Sequence, residues 1–403
     1  MRFLFLTTKY PVVPNDSYMI SELAGELIAR GHEVTVFHLN WNEKPGRETR
    51  ELTGSHEERI VDVVPRAVGK PGSLLYKISK FLLSNLHAVR EMRAHLAGVD
   101  FDASVSWTPA LTVALPLLAA IKRGVPAHIL FVFDFFPIHQ MEIGLMPRGP
   151  VYWVSKWLED RMYRKFTAII CNFPGNIEYL KRHYPIREDT NVISTPLWSD
   201  ISPPEIMPRA EVRRKYGLPA DRPIAIFGGQ ITEGRGIEQM LGAAEYASQN
   251  RSPLLFLFVG DGRLVPLVSQ NADALDNVRH IASVDRSEYL SLVGACDIGM
   301  VATVEGVSSF SFPTKTIDYL RVGLKIVASV EEGSDYLTLL SEYRLGNGVN
   351  FNDPEGYYRA ADELARNLDD SDNDNVMARK CLEEVFHVAH AANSVLKVAE
   401  KPK

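Results

Sequence analysis

Short apolar runs alternate along this chain with longer stretches whose apolar residues return every three or four positions. Arg2–Thr7 is the first run, short and apolar enough for a buried strand. A loop with two prolines follows at Tyr10–Asp16, and then Ser17–Arg30, where Ile20, Leu23, Leu27 and Ile28 form a helical stripe. Gly31 stands where a C-cap glycine belongs, and Glu33–Leu39 reads as the next strand. Ala103–Ser106, His128–Phe133 and Ala168–Cys171 are further strand candidates. Strands that alternate with helices imply a parallel sheet covered on both faces, so the pattern predicts an α/β fold.

The pattern breaks once and restarts. Pro196–Pro208 holds four prolines and a Trp-Ser-Asp turn, which predicts an interdomain linker. Beyond it come a strand at Pro223–Phe227, a glycine loop, a helix over Gly236–Tyr246 and a strand at Leu254–Val259, continuing to Lys325–Ser329. A charged helix, Val376–Val398, closes the chain. The expected domains are residues 1–200 and 201–375, with a closing helix at 376–403 free to cross back to the first. At 403 residues the chain is too long for one ordinary core, which agrees. Asp369–Asn375 starts like a calcium loop, but Asn375 stands where the turn needs glycine and Cys381 where it needs an acid; a solvated turn is expected.

Charge and cysteine usage narrow the function. Residues 1–200 carry 23 Lys/Arg against 21 Asp/Glu, and the remainder 21 against 29, so no strongly basic domain suggests a nucleic-acid partner. Cys171, Cys296 and Cys381 are scattered and form no CxxC, which argues against a disulfide framework or a zinc site and for a reducing cytosol. The apolar start is too short for a signal peptide. The longest apolar stretch, around Leu111–Ile121, falls short of the roughly 20 residues that span a bilayer. A cytoplasmic protein is expected, with peripheral contact at the inner membrane face as an option. Ser73–Leu96 raises that option: Leu75, Ile78, Phe81, Leu82 and Leu86 lie opposite Lys77, Lys80, Arg90 and Arg93, as in a helix resting on anionic lipid. The competing reading is a surface helix packed on its own sheet.

The most informative local sequence is Ile224-Ala-Ile-Phe-Gly228-Gly229-Gln230-Ile-Thr-Glu233-Gly234-Arg235-Gly236. An apolar strand delivers a glycine turn into a helix, whose N–H groups and dipole suit a phosphate, and Arg235 adds a positive charge. GxGxxG is absent, which disfavours a dinucleotide enzyme. GxxxxGK[ST] is nearly met, but Arg235 replaces the lysine and Gly236 the hydroxyl residue that would hold magnesium. A diphosphate-sugar site and a tight turn that binds nothing remain open.

From this loop onward the chain resembles the large family of retaining glycosyltransferases known as family four. Glu211-Val-Arg-Arg-Lys-Tyr-Gly217 through Gln230 looks like that family's entry to its second domain. Arg235-Gly236-Ile237 with Met240-Leu241 and Ala243-Ala244 resembles its "KG…LIEA" helix, and Leu257-Phe-Val-Gly260-Asp261-Gly262 its "VGDG" turn. Val278–Val284, Tyr289-Leu290 and Ala295-Cys-Asp297 resemble the next strand, helix and strand. Phe312-Pro313-Thr314-Lys315-Thr316-Ile317-Asp318-Tyr319-Leu320 through Ser329 resembles "P-x-K-x-x-E-Y-L-x-x-G-x-P-V-V-A-S". In the first half, Phe133-Asp134-Phe-Phe-Pro137 and Trp157-Leu-Glu159 through Ile170 resemble the polysaccharide-assembly members.

The resemblance implies two Rossmann-like domains facing a central cleft, the GT-B fold. It implies transfer of a hexose, with retention, from a UDP- or GDP-linked sugar to a carbohydrate or lipid-linked acceptor, in polysaccharide or glycolipid synthesis. The leaving phosphate itself would deprotonate the acceptor hydroxyl, so neither a carboxylate nucleophile nor a metal nor any cofactor is expected. Carried over position by position, the donor-side residues are Gly229, Gln230, Arg235, Asp261, Val284, Thr314, Lys315 and Asp318. Ser17, Asp134 and His139 are acceptor-side, and Asp134, Arg235 and Lys315 are the catalytic candidates. Gly229, Arg235 and Lys315 would supply N–H and cationic partners for the diphosphate. Asp318, a helical turn from Lys315, would hold the ribose; the bland alternative is an exposed Lys315–Asp318–Arg321 charge set.

Three positions depart from the family pattern. Gln230 stands where an Arg or Lys is usual, Phe310 replaces the first acid of E-x7-E, and Pro14-Asn15-Asp16-Ser17 replaces a glycine pair. A nucleotide-sugar epimerase or hydrolase of the same fold, or a non-catalytic nucleotide-sugar-binding subunit, are the alternatives. The one Asp-x-Asp, Asp100-Phe101-Asp102, lies far in sequence from the donor motifs.

Overall fold

The computed structural model describes the whole chain except residues 13–18, 42, 45–47, 71–72, 200, 308–311, 331–334, 369–370 and 401–403. Ser17, Phe310 and the side chain of Lys77 therefore lie outside the described residues. The chain forms two compact units. One holds Met1–His139, Arg148–Asp200 and His387–Lys403, and the other Gln140–Pro147 and Ile201–Phe386.

The first stretch runs β1 (Arg2–Thr7), α1 (Met19–Ala29), β2 (Glu33–Leu39), β3 (Arg50–Thr53), β4 (Arg59–Val63), α2 (Leu74–His95), β5 (Ala103–Trp107) and α3 (Ala114–Lys122). It continues with β6 (Ala127–Val132), α4 (Ile138–Glu142), α5 (Pro150–Tyr163), β7 (Ala168–Cys171), α6 (Pro174–His183) and β8 (Asn191–Ser194). The strands stand in the order β3-β4-β2-β1-β5-β6-β7-β8, parallel except for β3 against β4. Phe3, Leu4, Phe5 and Leu6 of β1 are all buried, because helices cover both faces of a central parallel strand. Strand order reverses between β1 and β5. Right-handed crossovers then put α1 on one face and α2, α3, α5 and α6 on the other.

The second unit repeats the plan with α7 (Arg209–Lys215), β9 (Ile224–Gly228), α8 (Ile237–Gln249), β10 (Leu255–Val259), α9 (Val265–Ala274), β11 (Val278–Ile281) and α10 (Arg286–Gly294). Then come β12 (Ile298–Ala302), α11 (Lys315–Arg321), β13 (Lys325–Ser329), α12 (Asp335–Glu342), β14 (Gly346–Val349), α13 (Pro354–Arg366) and α14 (Ser371–Val385). Its strand order is β11-β10-β9-β12-β13-β14, parallel throughout, with the reversal between β9 and β12. α15 (Val388–Ala399) belongs to the first unit, where Arg30 donates to Asn393 Oδ1 at 2.6 Å and the Thr195 and Ser394 hydroxyls meet at 2.5 Å.

Three local expectations need correction. The proline-rich linker is not all linker: Trp198 is fully buried in the first core, and its indole N–H donates to the Met19 carbonyl at 2.6 Å. The closing helix is two helices. His387 separates them, its Nδ1 accepting the Ala389 N–H at 3.0 Å to cap α15, while Phe386 stays in the second unit against Phe312. The acidic turn is mostly the start of α14, which begins at Ser371.

α2 differs in the direction it faces. Its inner side is formed by Ser84, Asn85, Ala88 and Met92, with the Ser84 hydroxyl accepting the Arg66 N–H at 3.0 Å. Leu75, Ile78, Leu82 and Leu86 point outward and are 50–66% exposed. Lys80 turns back onto Trp41, donating to its carbonyl at 2.7 Å, so the apolar stripe is outside and one of the expected outer cations is inside. Among the described residues, no helix is long and apolar enough to cross a membrane.

Candidate functional site

In an open α/β sheet, ligands meet the carboxyl ends of the strands where strand order reverses. In the second unit that point lies between β9 and β12, and the glycine loop leaves β9 there. Glycine is required for steric reasons. A Cβ on Gly228 would sit 2.2 Å from the Tyr289 hydroxyl. Gly260 has φ +139°, and its Cβ would fall 2.0 Å from the Gly229 carbonyl oxygen. The turns after β9 and β10 thus interlock, fastened by Ile231 N–H to the Asp261 carbonyl at 2.9 Å.

Gly236 is the N-cap of α8 at φ +60°, and its Cβ would lie 2.4 Å from the Ala302 Cβ. Bare backbone lets the start of α8 press against the end of β12. No side chain caps α8, so its first amides have no side-chain partner, although Glu238 in the first turn faces the positive end of the dipole. The loop's own first amide is answered: Gly229 N–H donates to the Val259 carbonyl at 3.0 Å. The N–H donor expected of Gly229 from the sequence is therefore already engaged within the fold.

Two cations share this place. Lys315, the first residue of α11, is half-buried with its ammonium 3.6 Å from the centroid of the Phe227 ring. Burial, and then the positive charge of Arg235, hold the Lys315 ammonium well below the usual lysine range. The ring face returns some of that stabilisation to the charged form. Arg235 and Gln230 are exposed on the loop, and the Asp261 side chain is exposed on the interlocked turn. Thr314, exposed, precedes α11 and makes no capping bond; Val284 is half-buried before α10.

Asp318 is buried and takes a two-pronged ion pair from Arg286, at 2.7 Å and 2.5 Å. The surface charge set Lys315–Asp318–Arg321 does not form. Lys315 faces Phe227, Asp318 faces Arg286, and Arg321 donates to the Ser202 carbonyl at 3.0 Å. Sequence reasoning missed Arg286. The signal was Asp285-x-x-Glu288, a helix start in which Asp285 Oδ1 accepts the Glu288 N–H at 2.9 Å and fixes Arg286 as the first residue of α10. Its pairing across 32 positions with Asp318 has no local signal.

In the first unit, Asp134 follows β6, and the N–H groups of Phe133 and Asp134 both donate to the Thr108 hydroxyl, at 3.1 and 3.2 Å. His139 lies in α4 with its N–H on the Phe135 carbonyl at 2.9 Å. Glu159, of which no role was expected, is fully buried on α5. Its two oxygens accept the N–H groups of Ala110 and Leu111 at 2.7 and 2.9 Å. Burial pushes its carboxyl up to about 8; the two amides oppose the shift and the charge of Asp134 adds to it. Asp100 and Asp102 sit at the opposite, amino edge of the sheet, where Asp102 accepts the Arg2 N–H at 2.6 Å. Among the described residues, no three His, Cys, Asp or Glu side chains gather as a metal site would need.

Known proteins agree with this architecture. Residues 17–197 match the family described as Glycosyltransferase Family 4. The putative colanic acid biosynthesis glycosyl transferase WcaI of Escherichia coli (strain K12) is 30% identical over 337 residues, 77% of this chain and 80% of that one. Among solved structures, sucrose-phosphate synthase from Thermosynechococcus elongatus superposes with a TM-score of 0.72 at 15% identity, covering 99% of this chain and 98% of that one. Anabaena HepE in complex with UDP-glucose gives 0.69 at 12% identity, covering 98% of both chains. Two doubly wound parallel-sheet units of the GT-B type, and a relative this similar over this length, make the chain a glycosyltransferase and a member of glycosyltransferase family 4.

Proposed function

We propose that this glycosyltransferase takes a hexose from a UDP- or GDP-linked donor held by its second unit and transfers it, with retention, to a carbohydrate or lipid-linked acceptor. The observation that carries the proposal is the seat of Lys315 over the Phe227 ring of β9, the strand whose loop brings Arg235 to the uncapped start of α8. Two cations and a positive dipole end in one place repel one another, and a bound diphosphate relieves that repulsion. Charge grows on the leaving phosphate as the sugar C1–O bond breaks, so the same groups act most strongly in the transition state. The departing phosphate oxygen takes the acceptor's hydroxyl proton as the acceptor oxygen bonds to C1. Asp318, oriented by Arg286, has lone pairs left for the ribose hydroxyls. Gln230, Asp261, Val284 and Thr314 border the donor, Asp134 touches a sugar, and Ser17 and His139 serve the acceptor side. The solved complex of HepE with UDP-glucose supports the donor class, and WcaI, named for colanic acid biosynthesis, supports a polysaccharide role.

The test is incubation with UDP-, GDP- and ADP-sugars and candidate acceptors, with and without EDTA. Thermal stabilisation by one nucleoside diphosphate, and product formation unaffected by EDTA, are expected. Loss of activity restored by manganese would overturn the mechanism. Free or isomerised sugar formed without acceptor would mean a hydrolase or epimerase, and binding without turnover a non-catalytic subunit.

We further propose that α2 rests on an anionic membrane, as an acceptor on a lipid carrier would require. Its outward leucines and isoleucine, continued by the exposed Arg90 and Arg93, support this. Binding to phosphatidylglycerol vesicles should weaken as salt rises, since exposed charges are screened within about 10 Å at 0.1 M. Leu82→Ser with Leu86→Ser should reduce it at every salt concentration. An unaltered chain that ignores such vesicles at low salt ends the idea.

A further inference from the structure

α5 turns a second apolar face outward. Tyr152, Glu159, Met162 and Tyr163 are buried on its inner side. On the outer side Val151, Trp153, Val154 and Trp157 are 53–62% exposed. In helical projection the same outer arc continues into Arg161, Arg164 and Lys165, all exposed. Every exposed position from 150 to 165 is apolar or basic. The one acid that borders the face, Asp160, is taken by Lys156. Arginines also attend the indoles: the Arg161 guanidinium lies 4.3 Å from the Trp157 ring centroid, and that of Arg148 lies 5.4 Å from Trp153.

We propose that this face of α5 is a membrane-docking surface that seats Trp153 and Trp157 among the headgroups of an anionic bilayer. Indoles combine an apolar body with one polar N–H and concentrate at that depth. The arginines extend past them to lipid phosphates. Charge selects this occupant over a second copy of the chain. A two-fold contact would set Arg161, Arg164 and Lys165 against the same face of the partner, which offers no exposed carboxylate. An anionic surface neutralises all three.

Position supports the same partner. α5 and α2 lie on one face of the first sheet, and both touch the 3-10 turn Ala110–Val113. Each helix is apolar over its amino-terminal half and basic toward its end, so the two outward stripes suit one flat, anionic layer. The proposal rests on the membrane reading of the proposed function and adds to α2 a second foothold, argued from the residues of α5.

The test uses the full chain with vesicles of phosphatidylcholine and phosphatidylglycerol carrying brominated acyl chains, which quench indoles that enter the bilayer. The chain has five tryptophans, of which Trp107 and Trp198 are buried. Strong quenching is expected, and most of it should vanish in Trp153→Phe/Trp157→Phe, which keeps the apolar face. Arg161→Gln/Arg164→Gln/Lys165→Gln should weaken vesicle binding at least tenfold, with UDP binding and melting point unchanged in both variants. Vesicle binding with no quenching lost in the double variant would overturn the α5 face and leave α2 standing. No vesicle binding at all would overturn both, while a concentration-dependent dimer lost in the Trp variant would assign the face to a second copy.

Discussion

Arg235→Ala is expected to weaken binding of a nucleoside diphosphate about 10- to 100-fold, because a hydrogen bond to a charged group contributes roughly 1.5–3 kcal/mol. The bare nucleoside should bind nearly as before, having no phosphate to lose. Asp318→Asn should behave differently. It preserves shape but removes the charge that anchors Arg286 and that the proposed donor site directs at the ribose, so nucleoside and diphosphate should weaken alike. Calorimetry with both ligands, alongside melting curves, separates the two variants. Equal losses for both ligands in both variants, or none in either, would mean the donor lies elsewhere.

The second large effect is on folding. Gly260→Ala should destabilise the second unit by about 2–6 kcal/mol, combining overpacking with left-handed strain. The new methyl would meet the carbonyl of Gly229, a residue whose own N–H is held by the Val259 carbonyl at 3.0 Å. For a domain of this size that is a fall of roughly 5–20 °C in melting point. Gly124→Ala is the control. Gly124 has φ +85° with nothing within 4 Å of the added Cβ, so only backbone strain of about 1–2 kcal/mol applies. If both variants melt alike, the two turns do not interlock tightly. Nucleotide binding should also fail in Gly260→Ala before global unfolding, because the pushed turn interlocks with the glycine loop proposed to hold the donor.

Much of the architecture was legible in local pattern. β1, β2, β7 and β13 fall on the runs that periodicity marks, and Ser73 and Leu96, the expected limits of the long basic helix, are the caps of α2. Buried parallel strands are short and wholly apolar, and glycines that must carry positive φ are conspicuous, so chain-neighbour chemistry suffices to find them. The glycine loop, its helix and Arg235 could be named on the same grounds, whereas Lys315 and Asp318 were named only from the resemblance to the family.

What each side chain faces was decided by tertiary structure. Lys315, Asp318 and Arg321 are three positions apart on one helix, yet the first meets a ring of β9, the second a guanidinium at the start of α10 and the third a carbonyl before α7. Glu159, in sequence only part of a segment that resembles the family, is a fully buried acid holding two amides. α2 was amphipathic on paper, but which stripe turned outward depended on Ser84 and Asn85 finding partners at Arg66 and Thr112. Helical periodicity fixes which residues share a face. Whether that face meets a sheet or solvent depends on groups distant in the chain, whose hydrogen bonds and charges no local pattern records.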